Sequence, residues 1–365
     1  MDSSPMNRRS ALRNAGIASV LATGLAPAVH AQAAVRWRLA SSFPKSLDTI
    51  YGGAEVFSKA VNALSAGRFE VVVHAAGALV PAFDVLDAVQ SGTVEMAHTA
   101  PYYFYGRNQA FALGSAIPFG FNARQMNAWM LHGNGRRLMD DFYAGYNLLS
   151  FAGGNTGTQM GGWYLKEIRG VSDFKGMRMR LGGGLVGDVM TRMGAVALDM
   201  PGGEIYQALH QRSIDAAEWV GPYDDQKLGF NKVAPYYYYP GWWEGGLELD
   251  FFINRKAFAA LPADLKAIVN AAASLAHADM LAKYDALNPN ALKQLVMART
   301  KVLPFPLPVL DAAFRAAMEV FAQNDTRSPE WKRIYADMRN FQRDQIFWFR
   351  FAEARFDSFM SAQRI

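Results

Sequence analysis

The 365-residue chain reads as an α/β protein of two lobes, with mixed, mostly parallel sheets and long C-terminal helices. Three observations predict this. Between residues 35 and 254, β-branched stretches alternate with helical ones, an order that gives right-handed crossovers and parallel pairing. Asp84–Thr99 and Glu204–Trp219 repeat one helix–break–strand pattern with corresponding apolar and acidic positions. From Leu261 onward the pattern is almost wholly helical.

Residues 1–31 stand apart from the fold. Arg8-Arg9 precedes an uncharged run, Ala15 to Val29, that closes on Val29-His30-Ala31. That is the basic, apolar and small-residue order of an export signal, and the run is too short to span a bilayer. Arg8-Arg9-Ser10-Ala11-Leu12 suits a twin-arginine signal as well as an ordinary one. Cleavage falls after Ala31 or Ala33. Without residues 1–31 the net charge drops from +5 to +3, because Arg8, Arg9, Arg13 and Asp2 leave. So mild a charge, with no Lys/Arg block, argues against nucleic acid as a partner. The remainder exceeds the usual size of one domain. The absence of cysteine excludes disulfides, thiolate metal sites and cysteine nucleophiles.

Val35–Ala40 alternates and reads as the first strand. Asp48 is positioned to cap a helix that runs to about Leu64 and stops at Ser65-Ala66-Gly67. Phe69–His74 is β-branched and reads as the second strand. The first repeat follows. Residues 108–147 are mixed, then helical to about Phe142. Asn147–Ala152 begins a strand that ends in Gly153 to Gln159. After a turn at Ser172-Asp173, Gly176–Leu181 is a strand and a helix starts near Leu185. The second repeat leads to Glu218-Trp219. Asn231–Gly246 reads as an aromatic loop and Leu247–Asn254 as a strand. No flexible linker is visible, so the chain is expected to cross between lobes on strands, near Phe151 and Leu247. This assigns residues 35–152 with 219–254 to lobe I and 153–218 with 255–328 to lobe II. Residues 329–365 form a C-terminal helix. Its apolar surface exceeds one stripe, which predicts packing across both lobes or cover for a second subunit.

Gly182, Gly184 and Gly187 match G-x-G-x-x-G after a strand. An exported chain meets little NAD, so the turn is read as a source of N–H groups for another anion. Alternation puts Arg178 and Arg180 on one face. Arg180 lies nearest the C-terminal end of its strand, where α/β clefts form, and suits a carboxylate. Glu218 ends the second repeat and Glu244 sits in the aromatic loop. Two carboxylates in one enclosed cleft repel each other. A Na⁺ or Ca²⁺ ion with oxygen ligands would relieve them, and Gln159 is a candidate amide ligand opposite. The histidines show no paired spacing for a transition metal. No nucleophile elbow, P-loop, HExxH or grouped triad appears, so no catalytic residue is assigned.

The segments Phe174–Arg180, Ile214–Trp219 and Tyr239–Glu244 resemble the solute-binding proteins of tripartite ATP-independent periplasmic (TRAP) transporters. The run Glu218-Trp219-Val220-Gly221-Pro222-Tyr223-Asp224 resembles a subgroup that binds small 2-oxo or 2-hydroxy monocarboxylates, the pyruvate, 2-oxobutyrate and lactate class, together with a cation. The resemblance implies a two-lobed, type II-like periplasmic binding protein that serves membrane permease subunits. It implies Arg180 on the substrate carboxylate, helped by Asn155. It implies Na⁺ or Ca²⁺ held by Gln159, Glu218, the Trp219 carbonyl, Glu244 and the substrate, with Tyr102 or Tyr103 reaching over from the other lobe. A homodimer is a further expectation. The cleft is expected to stand open and wet until cation and acid favour closure. Two other readings stay open: an exported metal-dependent lyase or hydrolase acting on a small carboxylate, and a chemosensory ligand-binding protein.

Overall fold

The computed structural model describes residues 35–363; the expected export signal lies outside the described residues. Strand β1 (Val35–Ser41) buries Trp37 and Leu39, while Arg36 and Arg38 pair with Glu70 and Glu95. Helix α1 (Ile50–Leu64) buries Ile50, Ala54, Phe57 and Val61 along one stripe. Asp48 is not its cap. Thr49 holds that position without a side-chain bond, because the Asp48 carboxylate is drawn to the ammonium groups of Lys227 and Lys283 instead.

The chain continues through β2 (Phe69–His74), α2 (Val85–Gln90), β3 (Met96–Thr99), α3 (Ala123–His132), α4 (Gly135–Ala144) and β4 (Leu148–Asn155). Then follow β5 (Trp163–Tyr164), β6 (Arg178–Arg180), α5 (Gly184–Arg192), β7 (Val196–Leu198), α6 (Gly202–His210), β8 (Ala216–Ala217) and α7 (Pro222–Leu228). The last elements are β9 (Tyr236–Tyr239), β10 (Glu248–Asn254), α8 (Arg255–Ala259), α9 (Ala263–Met297), β11 (Lys301–Pro304), α10 (Leu307–Arg327), α11 (Pro329–Phe351) and α12 (Glu353–Ser361). Both repeat copies are helix-then-strand units, α2–β3 and α6–β8.

The fold is α/β with two lobes, each built on one mixed sheet. One sheet runs β2-β1-β3-β10-β4, with β10 antiparallel to both neighbours; the other runs β11-β9-β5-β8-β6-β7. In the second sheet β6 is parallel to β7 and β8, and β5 is antiparallel to β8 and β9. The chain passes between sheets three times, from Asn155 to Trp163, from Tyr239 to Glu248 and, through α8 and α9, from Asn254 to Lys301.

Three expectations need correction. Of residues 219–254, only Glu248–Asn254 pairs in the first sheet. Tyr236–Tyr239, expected as loop, is β9 of the second. Aromatic residues suit a pleated, half-buried surface, and Tyr237 stacks on Trp163 with 4.1 Å between centroids. Second, α9, expected in the lobe of the second sheet, packs on α1 and β4 of the first and on α7. Its 35 residues reach about 50 Å, enough to serve both lobes. Third, the last helix is two helices, broken at Ala352. Its first half buries Trp331, Ile334, Tyr335 and Met338, while Phe347, Trp348, Phe351, Phe356 and Phe359 stay exposed.

Candidate functional site

Register places the central pair. Arg180, the last residue of β6, is aligned with Ala217 of β8, so Glu218 follows directly beside it. Arg180 Nε donates to the Met200 carbonyl at 3.0 Å, and Nη1 donates to the Glu218 carbonyl at 2.8 Å and to its carboxylate at 2.6 Å. The guanidinium carbon stands 5.1 Å over the Trp219 ring. Gly202 also packs close to that ring, where a Cβ would meet Trp219 at 2.2 Å. Arg178, two residues before Arg180 on the same strand, makes a solvent-exposed pair with Asp215. Such pairs contribute little.

Backbone bonds join the other two acceptor residues to this pair. Gln159 N donates to the Glu244 carbonyl at 3.1 Å, Gly241 N to the Gln159 carbonyl at 2.8 Å, and Met160 N to the Val220 carbonyl at 3.0 Å. Buried Asp225 fixes the turn after Trp219 by accepting from Trp163 Nε1 at 2.9 Å, the Tyr237 hydroxyl at 2.7 Å and Val220 N at 3.2 Å. Burial pushes Asp225 up to about 7 against those donors.

Arg180, Asn155, Gln159, Glu218 and Glu244 are all buried, none more than 2% exposed. The cleft is therefore closed in this structure. One contact between the lobes holds it closed: the Tyr102 ring fits the glycine turn, while Arg180, in the same lobe as Glu218, offsets that residue's charge. A Cβ on Gly182 would stand 2.3 Å from the Tyr102 hydroxyl, and one on Gly183 would stand 2.4 Å from its ring. Gly184 likewise makes room for Tyr105. These glycines thus admit aromatic rings from the other lobe, and no dinucleotide role is needed to explain them. The Gly182 N–H, one of the donors the turn was read to offer an anion, works against the upward shift of the Glu218 carboxyl.

Both candidate tyrosines face the site. Tyr102 is buried with its hydroxyl stabilising the Glu244 carboxylate, and Tyr103, half-buried, packs edge-on to Tyr102 at 4.9 Å. Burial raises both phenols, and each feels Arg180, Glu218 and Glu244. Asn155 ends β4 opposite Glu248. Its Oδ1 accepts from Gly157 N at 2.9 Å, and its Nδ2 lies toward the buried Glu248 carboxylate without completing a hydrogen bond.

The unpaired atoms define what the site can hold. Gln159 Oε1, Glu218 Oε2 and Glu244 Oε2 are buried acceptors without a partner, and Arg180 Nη2 and Trp219 Nε1 are buried donors without one. Burial raises the Glu218 pKa despite Arg180. Glu244 is raised further, by burial first and then by the Glu218 charge. An unsatisfied buried group costs about 1–3 kcal/mol, more when charged. Orphan oxygens on two carboxylates and an amide fit a hard cation such as Na⁺ or Ca²⁺; the orphan guanidinium N–H fits a carboxylate. Among the described residues no three His, Cys, Asp or Glu side chains group as a metal site, so such an ion would need amide, carbonyl or ligand oxygens as well.

Sequence reasoning missed three nearby acids: Glu248, Asp225 and Asp199. The first two are positioned by strand register and a long-range aromatic cage, which leave no local signal. Asp199 is placed by the pairing of β7 with β6, which likewise leaves no local signal.

Residues 40–326 match the family model described as bacterial extracellular solute-binding protein, family 7. The chain is 43% identical to a monocarboxylate 2-oxoacid-binding periplasmic protein of Nostoc sp., with 98% of this chain and all of that one covered. A TRAP transporter solute-binding protein from Bordetella bronchiseptica, a dimer solved with copurified calcium and picolinate, superposes with a TM-score of 0.89 at 45% identity, covering 90% of this chain and 98% of that one. A second, from Pseudoalteromonas atlantica with bound sodium and pyruvate, gives 0.86 at 37% identity, covering 91% and 100%. The chain belongs to family 7 of the bacterial extracellular solute-binding proteins, the DctP family.

Proposed function

We propose that this chain is the periplasmic receptor of a TRAP transporter, that it binds a small 2-oxo or 2-hydroxy monocarboxylate together with Na⁺ or Ca²⁺, and that it delivers the acid unchanged to membrane permease subunits. The observation that carries this reading is that the buried site residues keep three orphan acceptors, on Gln159, Glu218 and Glu244, and three orphan donors, on Arg180, Trp219 and Asn155. A single small molecule that is an anion at one end and a metal-binding oxygen at the other answers both sets. A 2-oxo or 2-hydroxy acid has that shape.

Charge supports it. Glu218, Glu244 and the ligand carboxylate bring three negative charges, and Arg180 offsets one. A cation supplies the charge that holds the two glutamates ionised beside the ligand. In this reading Arg180 Nη2 takes the carboxylate, Asn155 assists from β4, and Tyr102 and Tyr103 seal the site from the lobe of the first sheet. Gln159, Glu218, the Trp219 carbonyl and Glu244 hold the ion. The relatives' bound pyruvate, sodium and calcium fit the same chemistry. The lobes that move are those of the two sheets, and the exposed apolar half of α11 with α12 covers a second copy of the chain.

Calorimetry of metal-stripped mature protein with pyruvate, 2-oxobutyrate and lactate, with and without each ion, tests the reading. Binding that appears only with cation, and leaves the acid chemically unchanged, supports it. Cation-independent binding, or turnover of the acid, sinks it.

A further inference from the structure

One acid beside Arg180 has no place in the cation set. Asp199 directly follows Leu198, which is register-paired with Arg180 across β6 and β7, and directly precedes Met200, whose carbonyl accepts from Arg180 Nε at 3.0 Å. The Asp199 backbone is thus fixed on both sides against the arginine. Unlike Glu218 and Glu244, Asp199 is exposed. Two residues further on, Pro201 to Glu204 line a cavity of about 460 Å³ with Ser42, Pro44 and Pro81 from the other lobe, so Asp199 lies close to the gap between the lobes. Its charge reaches inward, bearing on Arg180, Glu218 and Tyr103. No lysine or arginine forms an ion pair with it among the described residues.

We propose that Asp199 restricts the ligand to one carboxylate by repelling a second near the gap between the lobes. The inference rests on the reading that Arg180 holds a carboxylate. With one guanidinium and one ion facing Glu218, Glu244 and a first ligand carboxylate, no spare positive charge remains for a second. Asp199 then adds a fixed negative charge on the side through which a longer acid would protrude. Specificity built this way comes from repulsion of the wrong ligand.

The test compares lactate, malate and the 4-monoamide of malate by calorimetry in the presence of calcium. The amide matches malate in size and lacks its second charge, so the malate–amide gap reads charge alone. Wild-type protein is expected to bind malate at least about 100-fold more weakly than the amide. Asp199→Asn should narrow that gap roughly tenfold, the effect of one unit charge several ångströms away in a partly wet site. Asp199→Glu should keep it, and so should Glu204→Gln, which removes a charge from the same rim further from Arg180. If lactate binds but Asp199→Asn leaves the gap unchanged, or Glu204→Gln narrows it as much, this inference alone is overturned. If wild-type protein binds neither lactate nor the amide, the carboxylate reading falls and takes this inference with it.

Discussion

Arg180 has five N–H donors, and the fold uses three contacts to aim the rest: the Met200 carbonyl and the carbonyl and carboxylate of Glu218. Replacing it leaves Glu218 as a buried charge without its partner, a loss of about 3–5 kcal/mol. Arg180→Met should therefore abolish carboxylate binding in calorimetry. Arg180→Lys keeps the charge but lacks the planar fork, and should bind roughly tenfold to a hundredfold more weakly. Wild-type affinity in either variant would remove Arg180 from the site. Glu244 carries a different expectation. Glu218 and Glu244 each raise the cost of ionising the other, so protons compete with the cation for this pair. Calcium should bind more tightly at about pH 8 than at about pH 5.5. Glu244→Gln removes one charge and relieves Glu218, so it should weaken calcium binding about tenfold and flatten the pH dependence. A variant as pH-sensitive as wild type would contradict the paired-glutamate account.

The elements that carry these side chains are short, and their neighbours hold them. Helix α7 follows Trp219 and is tied at several points. Asp224 accepts from the Tyr284 hydroxyl at 2.6 Å and from the Thr49 hydroxyl, and Tyr223 N donates to Asn288 Oδ1 at 3.0 Å. Lys227 and Lys283 converge on Asp48. The start of α1, the middle of α9 and α7 thus form one polar joint next to the site. At the other end of the chain, α11 changes character along its length. Its first turns bury Trp331, Ile334 and Tyr335 and Phe341 still packs on Phe121, but further along Ile346, Phe347, Trp348 and Phe351 are exposed. A contiguous exposed apolar patch on a soluble protein marks an interface. Light scattering should find a dimer for the mature chain and a monomer once residues after Asn340 are removed. A full-length monomer would leave the patch without its second copy.

For the whole molecule, the pH response follows from six buried acids. Glu218, Asp224, Asp225, Glu244, Glu248 and Asp250 all have raised pKa values, with burial the leading cause in each. A folded-state pKa above the unfolded one means stability that is full at low pH and declines as pH rises through the folded value. Asp224 is raised to about 6, and Asp225 and Asp250 to about 7. Metal-stripped protein should therefore lose thermal stability from about pH 5 to about pH 8. Asp48 works oppositely. Lys227 and Lys283 overcome its burial and lower it to about 2, so its contribution is present above the normal carboxylate range and fades as pH falls toward that value. Calcium should raise the melting temperature more at the upper end of this range, where Glu218 and Glu244 must ionise. Equal calcium shifts in scanning fluorimetry at both ends would refute this. Much of this architecture was legible beforehand. Alternation, β-branched runs and the repeated helix–strand unit located β1, β2, β3, β6, β8 and β10, because periodicity and backbone preference are local properties. The chemistry of Arg180, Glu218, Glu244 and Gln159 was also readable, since residue type fixes charge and donor capacity. What only the tertiary structure decided was adjacency: β9 joining the second sheet, Tyr102 filling the Gly182–Gly183 turn, Asp48 leaving its helix for two lysines, and Asp199 standing beside Arg180. Each depends on contacts between segments far apart in the chain, whose energies no local pattern encodes.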